Sequence, residues 1–285
     1  MFLNKIRLNL SKFFQYLQRF LNYIIFLILL SASNTIAAEP CFPKQVRIQS
    51  SELIDQVTSL SITSYTLQTE YSEECLSHQS PYPTEVLIAT LKKGSLKTSI
   101  NTQKKGQLLS GLNSQWNIRI NTSYFDKTGK PTLFLKSKDK NLGEKLSRRG
   151  GVFYCVKGAC KLVPSSSYKV SKRHEIALQS TPRLIQSGKY IKGLRNPNVL
   201  DQRIGLAINK NGDTLIFQSR RANFNELRRF LLTELNVKHA IALDGGSSTS
   251  FHSLSADEDG KTHEVDMAHY FWANVPYYIN FSDSN

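Results

Sequence analysis

The sequence predicts an α+β fold: a strand-rich mixed sheet with few helices, in a single main domain. Three observations carry this. Short apolar runs bounded by Gly, Pro and Asn recur along the chain, the mark of buried strands. Only residues 224–235 place apolar side chains at helical spacing. That helix comes late, after a long series of strands, so the elements do not alternate as βαβ units. The 285 residues allow one large or two small domains.

Residues 1–38 read as a signal peptide or N-terminal anchor. Lys5, Arg7, Lys12 and Arg19 form a basic, acid-free lead, and 21–30 is apolar apart from Asn22. Small residues follow, with Ala37 and Ala38 suited to peptidase cleavage, the layout of a bacterial export signal. The apolar stretch is shorter than the roughly 20 residues a spanning helix needs. Periplasmic or secreted location is therefore expected, with a membrane anchor if the signal is left uncleaved. This segment holds 4 of the 37 Lys and Arg and none of the 22 Asp and Glu, so the remainder carries a net charge of +11. Such a balance favours anionic partners. Nucleic acid is not among them, because no nucleic-acid module is present and the aromatics do not interleave with the basic residues.

Residues 39–83 are polar and read as an N-terminal extension with one or two strands, closed by Pro81 and Pro83. The main domain, 84–285, begins with a buried strand over 85–91, a turn at Lys92-Lys93-Gly94 and a strand over 96–100. Further strands are expected at 116–120, 132–135, 151–156 and 161–163. Asn211-Gly212 marks a hairpin between 206–209 and 214–218. The helix over 224–235 starts at a capping box, Asn223 with Glu226. A short strand, 240–243, then runs into Asp244. Tyr270-Phe271-Trp272 and Tyr277-Tyr278 are expected to form a core strand, with Trp272 a candidate stacking surface for a sugar.

All four cysteines lie beyond residue 38, and an even count in an exported chain points to disulfides. A hairpin across 151–163 brings Cys155 opposite Cys160, which leaves Cys41 for Cys75. The spacing fits no common zinc pattern, and the reading contains no metal and no cofactor.

The segment 240–251, AIALDGGSSTSF, carries the most chemistry. A buried strand delivers the Asp244 carboxylate to a turn at Gly245 and Gly246, where backbone can approach another group closely. Ser247, Ser248 and Thr249 then offer hydroxyls and N–H groups to an anionic or polyhydroxylated ligand. Three other segments complete the set: Asn121-Thr122-Ser123-Tyr124-Phe125-Asp126, residues 177–185 with Gln179 and Pro182, and residues 201–208 with Arg203 and Gly205. An arginine fork suits phosphate oxygens. Asn and Gln amides suit sugar hydroxyls, and a carboxylate can stabilise positive charge at an anomeric carbon.

Taken in this order and with these gaps, the segments resemble the phosphodiester glycosidase family. Its pattern of Asn before an aromatic-Phe pair, Gln before Pro and Leu-Ile, Arg before Gly, and Leu-Asp-Gly-Gly-Gly-Ser is matched at Asn121, Tyr124-Phe125, Gln179, Pro182, Leu184-Ile185, Arg203, Gly205 and Leu243 to Ser248. The third glycine is replaced by Ser247, and the small pair after Asn121 is Thr122-Ser123. The resemblance implies hydrolysis of a phosphodiester-linked glycan. It implies catalytic roles for Asp244, Arg203 and Asn121, and substrate contacts from Tyr124, Gln179, Gly245, Gly246, Ser247, Ser248 and Thr249. Asp126, Glu175 and Asp201 are the candidates for a second carboxylate. The alternative is a non-catalytic envelope protein that binds glycans or sugar phosphates.

Other readings are weaker. A hydrolase triad on Ser247 and His252 lacks the Gly-x-Ser-x-Gly elbow. The acidic, His-rich stretch 252–269 has no metal-loop spacing and reads as a solvated loop. Asn121-Thr122-Ser123 spells a glycosylation sequon that a bacterial chain leaves unused.

Overall fold

The computed structural model describes residue 18 and residues 41–57, 59–80, 82–94, 96–102, 116–256, 262–266 and 275–283. The expected leader therefore lies outside the described residues except for Gln18, as do Tyr270, Phe271 and Trp272. The chain divides into Met1–Pro40 and Cys41–Asn285; all the strands below belong to the second unit. In chain order they are β1 (Gln45–Val57), β2 (Leu60–Glu70), β3 (Thr84–Leu91), β4 (Leu96–Thr102), β5 (Trp116–Asn121) and β6 (Leu135–Ser137). Next come β7 (Lys140–Asn141), β8 (Gly151–Val156), β9 (Ala159–Pro164), β10 (Ile176–Ser180), β11 (Arg183–Gln186) and β12 (Lys189–Tyr190). Then follow β13 (Asp201–Asn209), β14 (Thr214–Ala222), helix α1 (Phe224–Thr233), β15 (Val237–Ala242), β16 (Phe251–Ala256), β17 (Thr262–Asp266) and β18 (Tyr277–Asp283).

These strands make an eight-stranded sheet, β1-β2-β3-β14-β13-β15-β11-β12, and two five-stranded sheets, β7-β6-β10-β8-β9 and β17-β16-β5-β18-β4. The strand-rich α+β expectation holds, with antiparallel pairing among the described strands rather than both directions. Residues of 39–83 do not stand apart: β1 and β2 extend the large sheet through pairing of β2 with β3, and Leu60 and Ile62 enter the shared core.

The large sheet is covered on both faces, which explains apolar runs where a half-exposed strand would alternate. Leu87, Ala89 and Leu91 of β3, with Leu206 and Ile208 of β13, face the core shared with the other two sheets. Their neighbours Val86, Ile88 and Ala207 face α1, packing with Leu227, Phe230 and Leu231. The helix begins at the expected capping box: Asn223 accepts from Glu226 N at 2.9 Å, and Asn223 N donates to Glu226 Oε2 at 3.3 Å. Burial raises the pKa of Glu226, against the pull of the hydrogen bonds it accepts. The helix ends two residues early, and Asn236 at φ 51 turns the chain into β15.

The expected disulfides form. Cys155 and Cys160 are cross-strand partners in the β8–β9 hairpin with Cα atoms 4.0 Å apart, and its tip places Lys157 and Gly158 at positive φ, as a two-residue turn requires. Cys41 joins Cys75. The strand expected at 132–135 starts only at Leu135. The stretch 252–269 is not simply a loop, since β16 and β17 pair through it and His252 lies 3.6 Å from Glu264; Asp257, Glu258, Asp259 and His269 lie outside the described residues.

Gly205 is a packing requirement rather than a turn. It sits mid-strand between Phe217 and Ala242. A Cβ there would come within 2.2 Å of the Phe217 ring and 2.3 Å of the Ile241 carbonyl oxygen. Phe217 is fully buried and cannot swing away. Gly205→Ala should therefore destabilise the fold by about 1–3 kcal/mol or more through overpacking. Urea unfolding measures this; a variant as stable as the parent would show that the Phe217 ring is free to move.

Candidate functional site

β15 and β13 pair with Gly205 opposite Ala242. Leu243 N donates to Ile204 O at 2.9 Å, so the two strand ends stay adjacent as far as that pair. The turn after Asp244 then folds down on the start of β13. A Cβ on Gly245 would lie 2.7 Å from Gln202 O, and Gly246 adopts φ +61 with its Cβ position 3.8 Å from the Asp201 carboxylate. Both glycines answer a steric demand: one permits close approach, the other a left-handed backbone. Gly246–Ser248 completes a 3₁₀ turn.

Asn121 holds this turn at both ends. Its Nδ2 donates to Asp244 O at 2.7 Å and to Thr122 O at 3.1 Å, and its Oδ1 accepts Ser250 N at 3.0 Å. Asn121 is fully buried. With both amide protons on carbonyls it braces the loop. Gln179 is likewise fully buried: Nε2 donates to Ser147 O and Arg149 O, and Oε1 accepts Ser147 N, so it anchors the 147–149 loop.

Sequence reasoning missed two hydroxyls between these segments. Ser123 Oγ donates to Ser180 Oγ at 3.1 Å, and Ser180 Oγ donates to Ala242 O at 2.7 Å. Both serines are buried, and a hydroxyl beside each motif residue was the only signal for them. Tyr124 OH donates to Thr181 O at 2.9 Å, ahead of the cis Thr181–Pro182 bond.

Burial raises the Asp244 carboxyl above its ordinary range, while a hydrogen bond from Ser248 pulls it back. Tyr124 is raised by burial and by the Asp244 charge, and Arg203 opposes this. The phenol thus lies in the field of both groups. Arg203 is half-buried on the Phe224 ring, 4.1 Å from its centroid. It donates from Nη2 to Val199 O at 2.8 Å and from Nε to Ala222 O at 3.4 Å. Its Nη1 lies 3.7 Å from Asp201.

Of the three candidates for a second carboxylate, only Asp201 adjoins the turn. Asp126 caps its own exposed turn, accepting from Thr128 and Lys130. Glu175 accepts from Lys157 N and Thr98 Oγ1 elsewhere. Ser247 is exposed, Ser248 half-buried, and Thr249 buried with an Oγ1 that makes no hydrogen bond among the described residues. No three His, Cys, Asp or Glu side chains among the described residues gather into a metal-binding group.

The phosphodiester glycosidase family model matches residues 114–277, more than half of the chain, and the chain belongs to that family. The Escherichia coli K12 uncharacterized protein YigE is 36% identical over 101 residues, which span 34% of this chain and 39% of that relative. The catalytic domain of zebrafish N-acetylglucosamine-1-phosphodiester alpha-N-acetylglucosaminidase, auto-inhibited by its pro-peptide, superposes with a TM-score of 0.57 at 13% identity, covering 87% of this chain and 96% of that one. A hypothetical protein from Synechocystis gives 0.50 at 12% identity, over 82% and 64%. At these identities the structural likeness concerns the fold.

A carboxyl whose folded pKa exceeds its unfolded value favours the protonated native state. Its stabilising contribution is complete below the ordinary value of 3.8 and is lost as pH rises through the raised folded value. Asp244→Asn should therefore raise the melting temperature at pH 7, and the gain should vanish near pH 3. A variant that melts lower than the parent at pH 7 would mean that the Asp244 charge is stabilised where it stands.

Proposed function

We propose that this protein is an exported hydrolase that cleaves the glycosidic bond of sugar-1-phosphodiesters in envelope or exported glycans. One observation carries the reading: a half-buried carboxylate, Asp244, on a Gly-Gly turn, where the Tyr124 phenol feels both it and Arg203. Family membership supports the reaction class, and the two disulfides fit an oxidising compartment. Water adds across the bond between the anomeric carbon and the phosphate oxygen, releasing free sugar and a phosphate monoester of the other group.

In this scheme Arg203 holds the phosphate through Nη1, the end of its fork left after Nε and Nη2 bind backbone carbonyls. Asp244 faces the anomeric carbon and stabilises its positive charge. The turn N–H groups and the Ser247 hydroxyl take sugar or phosphate oxygens. Asp201, beside both Gly246 and Arg203, is the second carboxylate, positioned to activate water. A second reading, a binding protein without turnover, draws on Asp201 itself. Its side chain is 46% exposed and directed to Arg203, so it could serve the arginine alone.

Asp244→Asn should lower kcat for sugar release by about 10²–10⁴ with little change in substrate affinity. Arg203→Lys should chiefly raise KM, because the planar fork is lost. Release of sugar from defined sugar-1-phosphodiesters, followed by reducing-end assay, separates the readings. Unchanged turnover in Asp244→Asn sinks this mechanism, and tight binding without cleavage by the parent selects the binding protein.

The Ser248 hydrogen bond favours ionised Asp244. Ser248→Ala should shift the acid limb of kcat/KM to higher pH, since activity is lost as pH falls through the Asp244 pKa. A limb that stays in place or moves lower would assign that titration to another group.

A further inference from the structure

A polar concavity lies on the β4–β18–β5 part of the third sheet. The register pairs Tyr278 with Asn101 and Asn280 with both Ser99 and Arg119. Those residues share one face, because alternate positions such as Ile118, Ile120, Ile279 and Phe281 fill the core on the other. With the β6–β7 hairpin, Ser99, Asn101, Arg119 and Tyr278 line a cavity of about 770 Å³, within the range of small-ligand sites.

The hairpin supplies Lys138, Asp139 and Lys140 to the same cavity. With Arg119 that makes three cations against one carboxylate. The tip is held in place despite a residue type poorly suited to it. Lys138 has φ 48, a conformation uncommon for a residue with a side chain. Its N–H donates to Glu175 O at 2.7 Å, and its carbonyl accepts from Lys136 Nζ, which also reaches His174 O at 3.0 Å. Lys136 is itself buried, so an interior ammonium braces a turn whose own lysines are exposed at the rim. At the floor, Arg119 Nε donates to Asn280 Oδ1 at 3.1 Å and the guanidinium lies over the Tyr278 ring at 5.6 Å. Amide, hydroxyl, aromatic and guanidinium groups gathered under a cationic rim are the chemistry of a charged sugar site. The lining shares no residue with the Asp244 neighbourhood.

We propose that this cavity is a second carbohydrate site that takes an acidic saccharide. The anionic group meets Arg119, Lys138 and Lys140, and the sugar hydroxyls meet Ser99 and Asn101. The site stands whether or not Asp244 is catalytic.

Titration calorimetry with the full protein tests it, using a hyaluronate tetrasaccharide, mannose 6-phosphate and neutral maltotetraose. At least one acidic probe should bind and the neutral one should not; which acidic probe binds identifies carboxylate or phosphate as the preferred anion. The charge reversal Lys138→Glu with Lys140→Glu should weaken that binding about tenfold or more, while Arg203→Lys leaves it in place. Both rim lysines are exposed, so the double variant should keep the parent melting temperature, and Lys138→Gln with Lys140→Gln should give a smaller loss. Equal binding of maltotetraose overturns the proposal, as does no binding of either acidic probe. So does binding that survives charge reversal or is lost only in Arg203→Lys.

Discussion

The side-chain amide of Asn121 joins two sheets that have no backbone ladder between them. β5 ends at Asn121 in one five-stranded sheet, and the Asp244 turn leaves β15 in the eight-stranded sheet. One amide accepts the Ser250 N–H and donates to the Asp244 carbonyl, so both ends of the turn are tied to the end of β5. Buried backbone groups must find partners, and leaving either unpaired costs about 1–3 kcal/mol. The backbone of the turn is thus pinned at both ends by one side chain. Ser123 and Ser180 repeat the logic one layer inward, fixing the carbonyl of Ala242.

This bracing permits the electrostatics of the site. Asp244 is half-buried with a single side-chain hydrogen bond, from Ser248, set against desolvation. Arg203 is embedded on Phe224 and held by two backbone carbonyls. Both charges act on the partly desolvated Tyr124 phenol, and they do so more strongly than they would in water. The Gly245 contact with Gln202 O and the Gly205 contact with Phe217 are parts of the same bracing, since each lets backbone or ring approach more closely than a side chain allows.

Several features of the molecule were readable in the residues. The capping box at Asn223, the Asn-Gly hairpin and the Cys155–Cys160 pair depend on neighbours a few positions apart, and all three appear as expected. The buried strands at 85–91 and 240–243 were legible because both of their faces are apolar. Of the long β1–β2 hairpin, only one or two strands without bounds were expected. Its Ser, Thr and Gln residues lack a strong apolar alternation, and its place in the large sheet comes from pairing with β3. The helix was drawn too long because Leu235 fits the apolar face, whereas Asn236 turns the backbone first.

The ordered motifs at Asn121, Gln179, Arg203 and Asp244 named segments, and the structure adds where two of their side chains find partners. From sequence an amide offers two donors and an acceptor with no indication of where they point. Burial decided it: Asn121 and Gln179 have no exposed surface, so their amides satisfy backbone groups. The chain by itself determined the strand-rich class, the disulfide partners and the Asp-Gly-Gly turn, because each rests on local chemistry and spacing. Only the tertiary structure decided that Arg203 and Asp244 both act on Tyr124, that Asp201 rather than Asp126 or Glu175 adjoins the turn, and that Asn121 braces it. Those relations depend on strand register and on which buried polar atoms must pair across more than a hundred residues of sequence, as between Asn121 and Asp244.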